Sequence, residues 1–189
     1  MPIGQWVLDT ACSQLKAWKG NAKTRHLTMS INVSAKQFHE ATFVSQVHGS
    51  VLRYNINPEL LKLEPTESIL LQHIDDTVAT MNELKMIGIH FALDDFGTGF
   101  SSLQYLKKLP LNQLKIDQSF VRDIVSDAND QAIIRTIIAM AQSLNLETIA
   151  EGVETEEQQR ILEAEGCNLY QGYLFGKPVP IEELNSVLV

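Results

Sequence analysis

The stretch FALDDFGTGF places two acids, Asp94 and Asp95, side by side where an apolar run meets a glycine-containing loop. Adjacent carboxylates repel, and burial makes the repulsion worse, so solvent, a helix N-terminus or a cation must offset it. Other polar residues of matching chemistry recur along the chain: Asn32, Glu64, Lys115, Asp117, Glu151 and Gln171. Asn32 offers an amide oxygen, and Glu64, Asp94 and Asp95 offer carboxylates. These hard oxygen donors suit Mg²⁺ or Mn²⁺ better than zinc. Two such ions about 3.5–4 Å apart form a common device for phosphodiester hydrolysis, and they make neighbouring carboxylates favourable. Lys115 is suited to holding an attacking hydroxide or neutralising a phosphate oxygen, and Glu151 to accepting a proton from water. Asp117, two residues past Lys115, is expected on the same strand face.

Each residue also has an ordinary reading. Asn32 suits a turn, and Glu64 and Glu67 suit a solvated surface. Asp94 or Asp95 would cap a helix starting near Ser101. Lys115 would snorkel, Glu151 with Glu154 would favour a helix N-terminus, and Gly97 and Gly99 would serve turn geometry. The functional reading rests on the set, because six of these polar residues fall near the ends of six different expected strands.

Those strands are read from alternation and from turn residues: HLTMSINVS (26–34), ELLKLEPTE (59–67), IHFALDD (89–95), NQLKID (112–117), LETIAEG (146–152) and CNLYQGY (167–173). Helical periodicity marks 3–20, 43–56, 74–88, 101–109, 130–144, 155–166 and 181–189, with Thr155 and Gln158 spaced as a capping box. Strand–helix alternation implies parallel strands with right-handed crossovers. An open doubly wound sheet and a (β/α) barrel both satisfy it, but no phosphate-binding glycine fingerprint follows the first strand. In a barrel the C-terminal strand ends surround one mouth, where barrel active sites form. Asn32, Glu64, Asp94, Lys115, Glu151 and Gln171 would then form a ring.

The 189 residues suit a single domain over 1–189. A formal charge of −8 disfavours DNA as a partner. The two cysteines, Cys12 and Cys167, form neither a metal motif nor a disulfide framework, and reduced thiols fit a cytoplasmic location. No apolar run is long enough for a membrane segment, and no signal peptide is visible.

The stretches INVSAKQF, LEPTES, FALDDFGTGFSSL, LKIDQSFV, TIAEGVETEEQ and YQGYLFGKPVP, in this order, resemble the EAL-domain family of cyclic-di-GMP phosphodiesterases in bacterial signalling. The resemblance implies a TIM-like barrel that linearises cyclic di-GMP to pGpG with Mg²⁺ or Mn²⁺. It implies that Asn32, Glu64 and Asp94 are metal ligands, with Asp95 and Asp117 serving the second metal or its water. Lys115 and Glu151 become catalytic, and Gln171 and Asp95 face the substrate. Glu67 is expected to steady the loop that contains Asp95, Phe96, Gly97, Thr98 and Gly99, a loop also associated with dimer contacts. Two departures stand out. Pro65 replaces a usual aliphatic residue and lacks a ladder N–H. The Glu-Ala-Leu motif that names the family, the arginine after it and two N-terminal strands are not found. The expectation is therefore an N-terminally truncated domain with about six of eight strands. Its hydrolysis would be weak or absent, and open edges would favour a homo-oligomer. The alternative is a catalytically impaired module for cyclic-di-GMP binding or protein interaction.

Overall fold

The computed structural model describes residues 3–70, 74–97 and 103–187. In chain order the elements are α1 (Ile3–Trp18), β1 (Met29–Val33), α2 (Ala35–Phe38), α3 (Phe43–Tyr54), a 3₁₀ turn (Pro58–Leu60), β2 (Leu61–Pro65), α4 (Glu67–Leu70), α5 (Ile74–Met86), β3 (His90–Phe96), α6 (Leu103–Leu106), β4 (Gln113–Ile116), α7 (Gln118–Arg122), α8 (Ala128–Ser143), β5 (Glu147–Glu151), α9 (Glu156–Ala164), β6 (Leu169–Gln171) and α10 (Ile181–Val187). Each strand pairs in parallel with the next one in sequence. Consecutive order is the topology of a (β/α) barrel; a doubly wound sheet reverses its order at a switch point. Six strands are present among the described residues, and a complete barrel of this kind has eight. The fold is thus α/β, an incomplete TIM-like barrel.

The chain forms two compact units. The first comprises Met1–Phe91, Lys108–Pro110 and Val179–Val189. Here α1 buries Leu8, Ala11, Cys12, Leu15 and Trp18, the stripe expected of a 3.6-residue period. That stripe packs on α3 and β1. A polar clasp fastens the two helices: Ser50 Oγ donates to Asp9 at 2.8 Å, and Gln5 donates to both. Asn55, at φ 51°, stops α3 in the left-handed conformation that asparagine tolerates. Strands β1 and β2 pair from Met29↔Leu61 to Val33↔Pro65, and Leu61 and Leu63 are fully buried.

The second unit comprises Ala92–Lys107 and Leu111–Pro178. All four residues of β4 are buried, so this strand is central to the unit. Helix α8 covers β4 and β5 with Ile134, Ile137, Ile138 and Ala141. The capping box at α9 is present, with Thr155 and Gln158 satisfying each other's backbone N–H groups. Gln158 reaches further, donating from Nε2 to the Val121 carbonyl at 3.2 Å and the Arg122 carbonyl at 3.3 Å. One buried amide therefore ties the start of α9 to the end of α7.

Candidate active site

The site in the second unit begins with a broken register. Leu93 pairs with Leu114 and Phe96 with Ile116. Between those pairs β3 supplies two residues, Asp94 and Asp95, where β4 supplies only Lys115. In a regular strand neighbouring side chains leave opposite faces. This bulge breaks the alternation, and Asp95 adopts φ 54°, a left-handed conformation that aspartate visits more readily than most residues. Carboxylate oxygens of Asp94, Asp95 and Glu151 consequently all lie within 4.8 Å of one another.

Lys115 sits among these acids. Its ammonium is 2.7 Å from Asp94 and 2.8 Å from Glu151, and its side chain is only 5% exposed. Strand register explains the reach: Lys115 pairs with Ile149, and Glu151 lies two residues further on the same face of β5. Asp117 differs from its expected strand placement. Strand β4 ends at Ile116, and Asp117 instead caps α7, accepting from Ser119 N at 2.9 Å and from the Ser119 hydroxyl. The Asp95 carboxyl is pushed above its ordinary pKa, first by burial and then by the negative charges of Asp94 and Asp117. Lys115 opposes that rise, and a hydrogen bond with Asp117 adds to it. Among the described residues, the carboxylates of Asp94, Asp95, Asp117 and Glu151 gather where Lys115 supplies the cation, which leaves a surplus of negative charge.

Beside Glu151 lies a cleft of about 260 Å³ lined by Gln118, Glu151, Gly152, Glu154, Gln171 and Tyr173, with Gly172. Glu151 and Gln171 are register partners on β5 and β6. Two glycines make the cleft possible. Gly152 has φ 69°, and a Cβ there would meet Gln118 Cβ at 2.6 Å. A Cβ on Gly172 would collide with the Val153 backbone, which bonds on both sides of it to the Gln171 carbonyl and the Leu174 N–H. Gln118, Glu154 and Tyr173 were not singled out as site residues from sequence. Their signal was weak, because each simply follows a strand end by a few residues.

Of the other expected site residues, Asn32, Glu64 and Glu67 belong to the first unit, and Phe96 and Gly97 to the second. Asn32 and Glu64 are register partners near the ends of β1 and β2, one strand spacing apart, about 4.8 Å. Asn32 is exposed and Glu64 is buried. Glu67 opens α4 and is 4% exposed. In the expected loop, Phe96 is buried at the end of β3 and Gly97 has φ 101°. Thr98 and Gly99 lie outside the described residues.

The donor set fits a divalent cation. Asp94, Asp95 and Glu151 are hard oxygen donors, and among the described residues no thiol or imidazole belongs to the cluster, so the chemistry favours an alkaline-earth or manganese ion over zinc. Its charge surplus is what such an ion would neutralise.

The family model for the EAL domain matches residues 1–178. The bifunctional diguanylate cyclase/cyclic di-GMP phosphodiesterase MucR of Pseudomonas aeruginosa is 43% identical over 182 residues, 96% of this chain and 26% of that protein. The chain thus spans about a quarter of the length of this curated relative. The solved PaMucR phosphodiesterase, a c-di-GMP complex, superposes with a TM-score of 0.91 at 44% identity, over 96% of this chain and 73% of that one. Klebsiella pneumoniae BlrP1, solved as a manganese/cy-diGMP complex, gives a TM-score of 0.79 at 28% identity, over 92% of this chain and 45% of that one.

Proposed function

Because this chain belongs to the EAL domain family, we propose that its acidic centre supports the divalent-metal-dependent hydrolysis of cyclic di-GMP to linear pGpG. The observation that carries the reading is the clustering of Asp94, Asp95 and Glu151 oxygens within 4.8 Å around the Lys115 ammonium. Asp94, Asp95 and Asp117 would hold Mg²⁺ or Mn²⁺, with Asn32 and Glu64 as further oxygen donors. The ion would supply Lewis acidity at the phosphoryl oxygens and a more acidic bound water.

The chain's own residues do the rest. Glu151 accepts the proton of the attacking water. Lys115 holds Asp94 and Glu151 in place and offsets charge on a non-bridging phosphoryl oxygen. The water oxygen bonds to phosphorus, the bond from phosphorus to the 3′ oxygen breaks, and that oxygen takes a proton from solvent water and leaves as the 3′ hydroxyl. Gln171, beside Glu151, and Asp95 orient the nucleotide. Among the described residues no helix is long and apolar enough to cross a membrane. Two buried free cysteines suit the reducing cytoplasm, where we place the protein.

A turnover assay with Mn²⁺ tests the reading. It expects pGpG formation that falls at least a hundredfold in Glu151→Gln, the scale of a lost acid–base group, and in Lys115→Ala, the scale of a lost electrostatic contact to the developing charge. Saturable nucleotide binding without turnover would replace hydrolysis by a binding role.

A further inference from the structure

A second cleft, of about 430 Å³, lies within the first unit, at the opposite ends of its strands from Asn32 and Glu64. His26 precedes β1 by three residues, and Leu60 immediately precedes β2. Its walls are unlike in kind. Leu15, Ile56 and Leu60 provide an apolar surface, and Lys19, Arg25 and His26 provide a basic rim from one segment of chain. Lys19 donates to the Asn55 carbonyl at 3.0 Å, so its ammonium is held in position without losing its charge. No ion pair neutralises Lys19, Arg25 or His26 among the described residues. In a chain of formal charge −8, such grouping is a local reversal of sign. The buried indole N–H of Trp18, in the same turn as Lys19, also has no acceptor among the described residues.

Apolar walls with charge on one side complement a ligand that is apolar at one end and anionic at the other. The volume is that of a small-molecule site, which runs to roughly 300–1,000 Å³. A docked peptide needs an extended groove or a strand edge, and none of the residues lining this cleft belongs to a strand. We propose that it binds a small amphipathic carboxylate of medium chain length. The chain rests on Leu15, Ile56 and Leu60, and the carboxylate meets Arg25 and Lys19. An Arg–carboxylate pair is the stronger of the two contacts because it can be bidentate.

Decanoate, kept below its micelle concentration, is the probe. In the full chain carrying Trp6→Phe, Trp18 is the sole tryptophan reporter. The expected result is a saturable change in Trp18 emission at one decanoate per chain, with a rise in Tm by linkage. Arg25→Glu, at an exposed position, should weaken binding about tenfold, and uncharged decanol should bind about tenfold more weakly than decanoate. Lys23→Glu, an exposed cation outside the cleft, should change affinity less than about twofold. Circular dichroism establishes that each variant is folded. The proposal is overturned by non-saturating emission, by equal binding of decanol and decanoate, or by equal losses in Arg25→Glu and Lys23→Glu. None of these readouts depends on hydrolysis at the other ends of the strands.

Discussion

With its ammonium 2.7 Å from Asp94 and 2.8 Å from Glu151, Lys115 offsets two charges in a site almost closed to water. Removing one partner of a buried ion pair leaves uncompensated charge, typically at about 3–5 kcal/mol. Lys115→Ala is expected to lose that much in urea unfolding without divalent ions, and to recover part of it in Mn²⁺. A loss unchanged by Mn²⁺ would separate the lysine from the cation-binding cluster. Asp95 works in the opposite sense. Its carboxyl pKa is raised, so the native state binds this proton more tightly than the unfolded chain does. That contribution is present below the unfolded pKa and is lost as pH rises through the folded one. At neutral pH the charged side chain therefore weighs against folding. Asp95→Asn, which tolerates the same left-handed backbone, should raise the Tm of the metal-free chain and blunt its response to Mg²⁺. A fall in Tm would mean that Asp95 supports the fold through its charge. Burial and the nearby Asp9 push the Cys12 thiol up to about 12 from 9.0. Its contribution to stability is complete below about pH 9 and fades as pH climbs towards 12. At pH 8 the native chain should leave Cys12 unlabelled by a thiol reagent, with roughly a thousandfold less thiolate than the unfolded chain carries.

At the scale of elements, the join between α7 and α9 depends on Gln158, which is 6% exposed and bonds to four backbone groups. Gln158→Ala should cost about 2–3 kcal/mol, because the Glu154 and Thr155 N–H groups lose their acceptor and the Arg122 carbonyl loses its side-chain donor. A cost below about 0.5 kcal/mol would mean that water replaces the amide. The sequence announced part of this arrangement, since Thr155 and Gln158 carry the capping-box spacing. It gave no sign that the same amide would cross to α7, because that contact depends on tertiary packing. The strands followed the same rule. All six were legible from alternation, to within a few residues at each end. The structure trims CNLYQGY to Leu169–Gln171, because Gly172 turns the chain against Val153. Short helices at Ala35–Phe38 and Gln118–Arg122 passed unnoticed, being a single turn fixed by Ser34 and Asp117 caps rather than by periodicity. The residue types at the site were visible in sequence. The bulge that turns Asp94 and Asp95 towards Glu151 was not, since register is a property of two strands together.

On the scale of the whole molecule, β1 and β6 each pair on one side only among the described residues. Unpaired edges template association with other chains. Leu169 at the β6 edge is 41% exposed and adds apolar surface. Light scattering is expected to show a dimer or larger species that grows with concentration, and Leu169→Lys should shift it towards monomer. Association should strengthen with salt, since copies of formal charge −8 repel. A monomer at all concentrations would remove edge pairing as the mode of assembly.

The bulge in β3 also sets two demands of the chain against each other. Deleting Asp95 would restore an even ladder between β3 and β4 and remove a left-handed aspartate, both gains for a strand judged by itself. The same deletion would halve the paired acids and leave Lys115 facing fewer of them. A search for more stable variants would therefore favour repair at this position, and a search for activity would favour the defect. Stabilised descendants of this chain can be sorted by register alone: those that even out the ladder should melt later and lose their affinity for divalent ions in the same step.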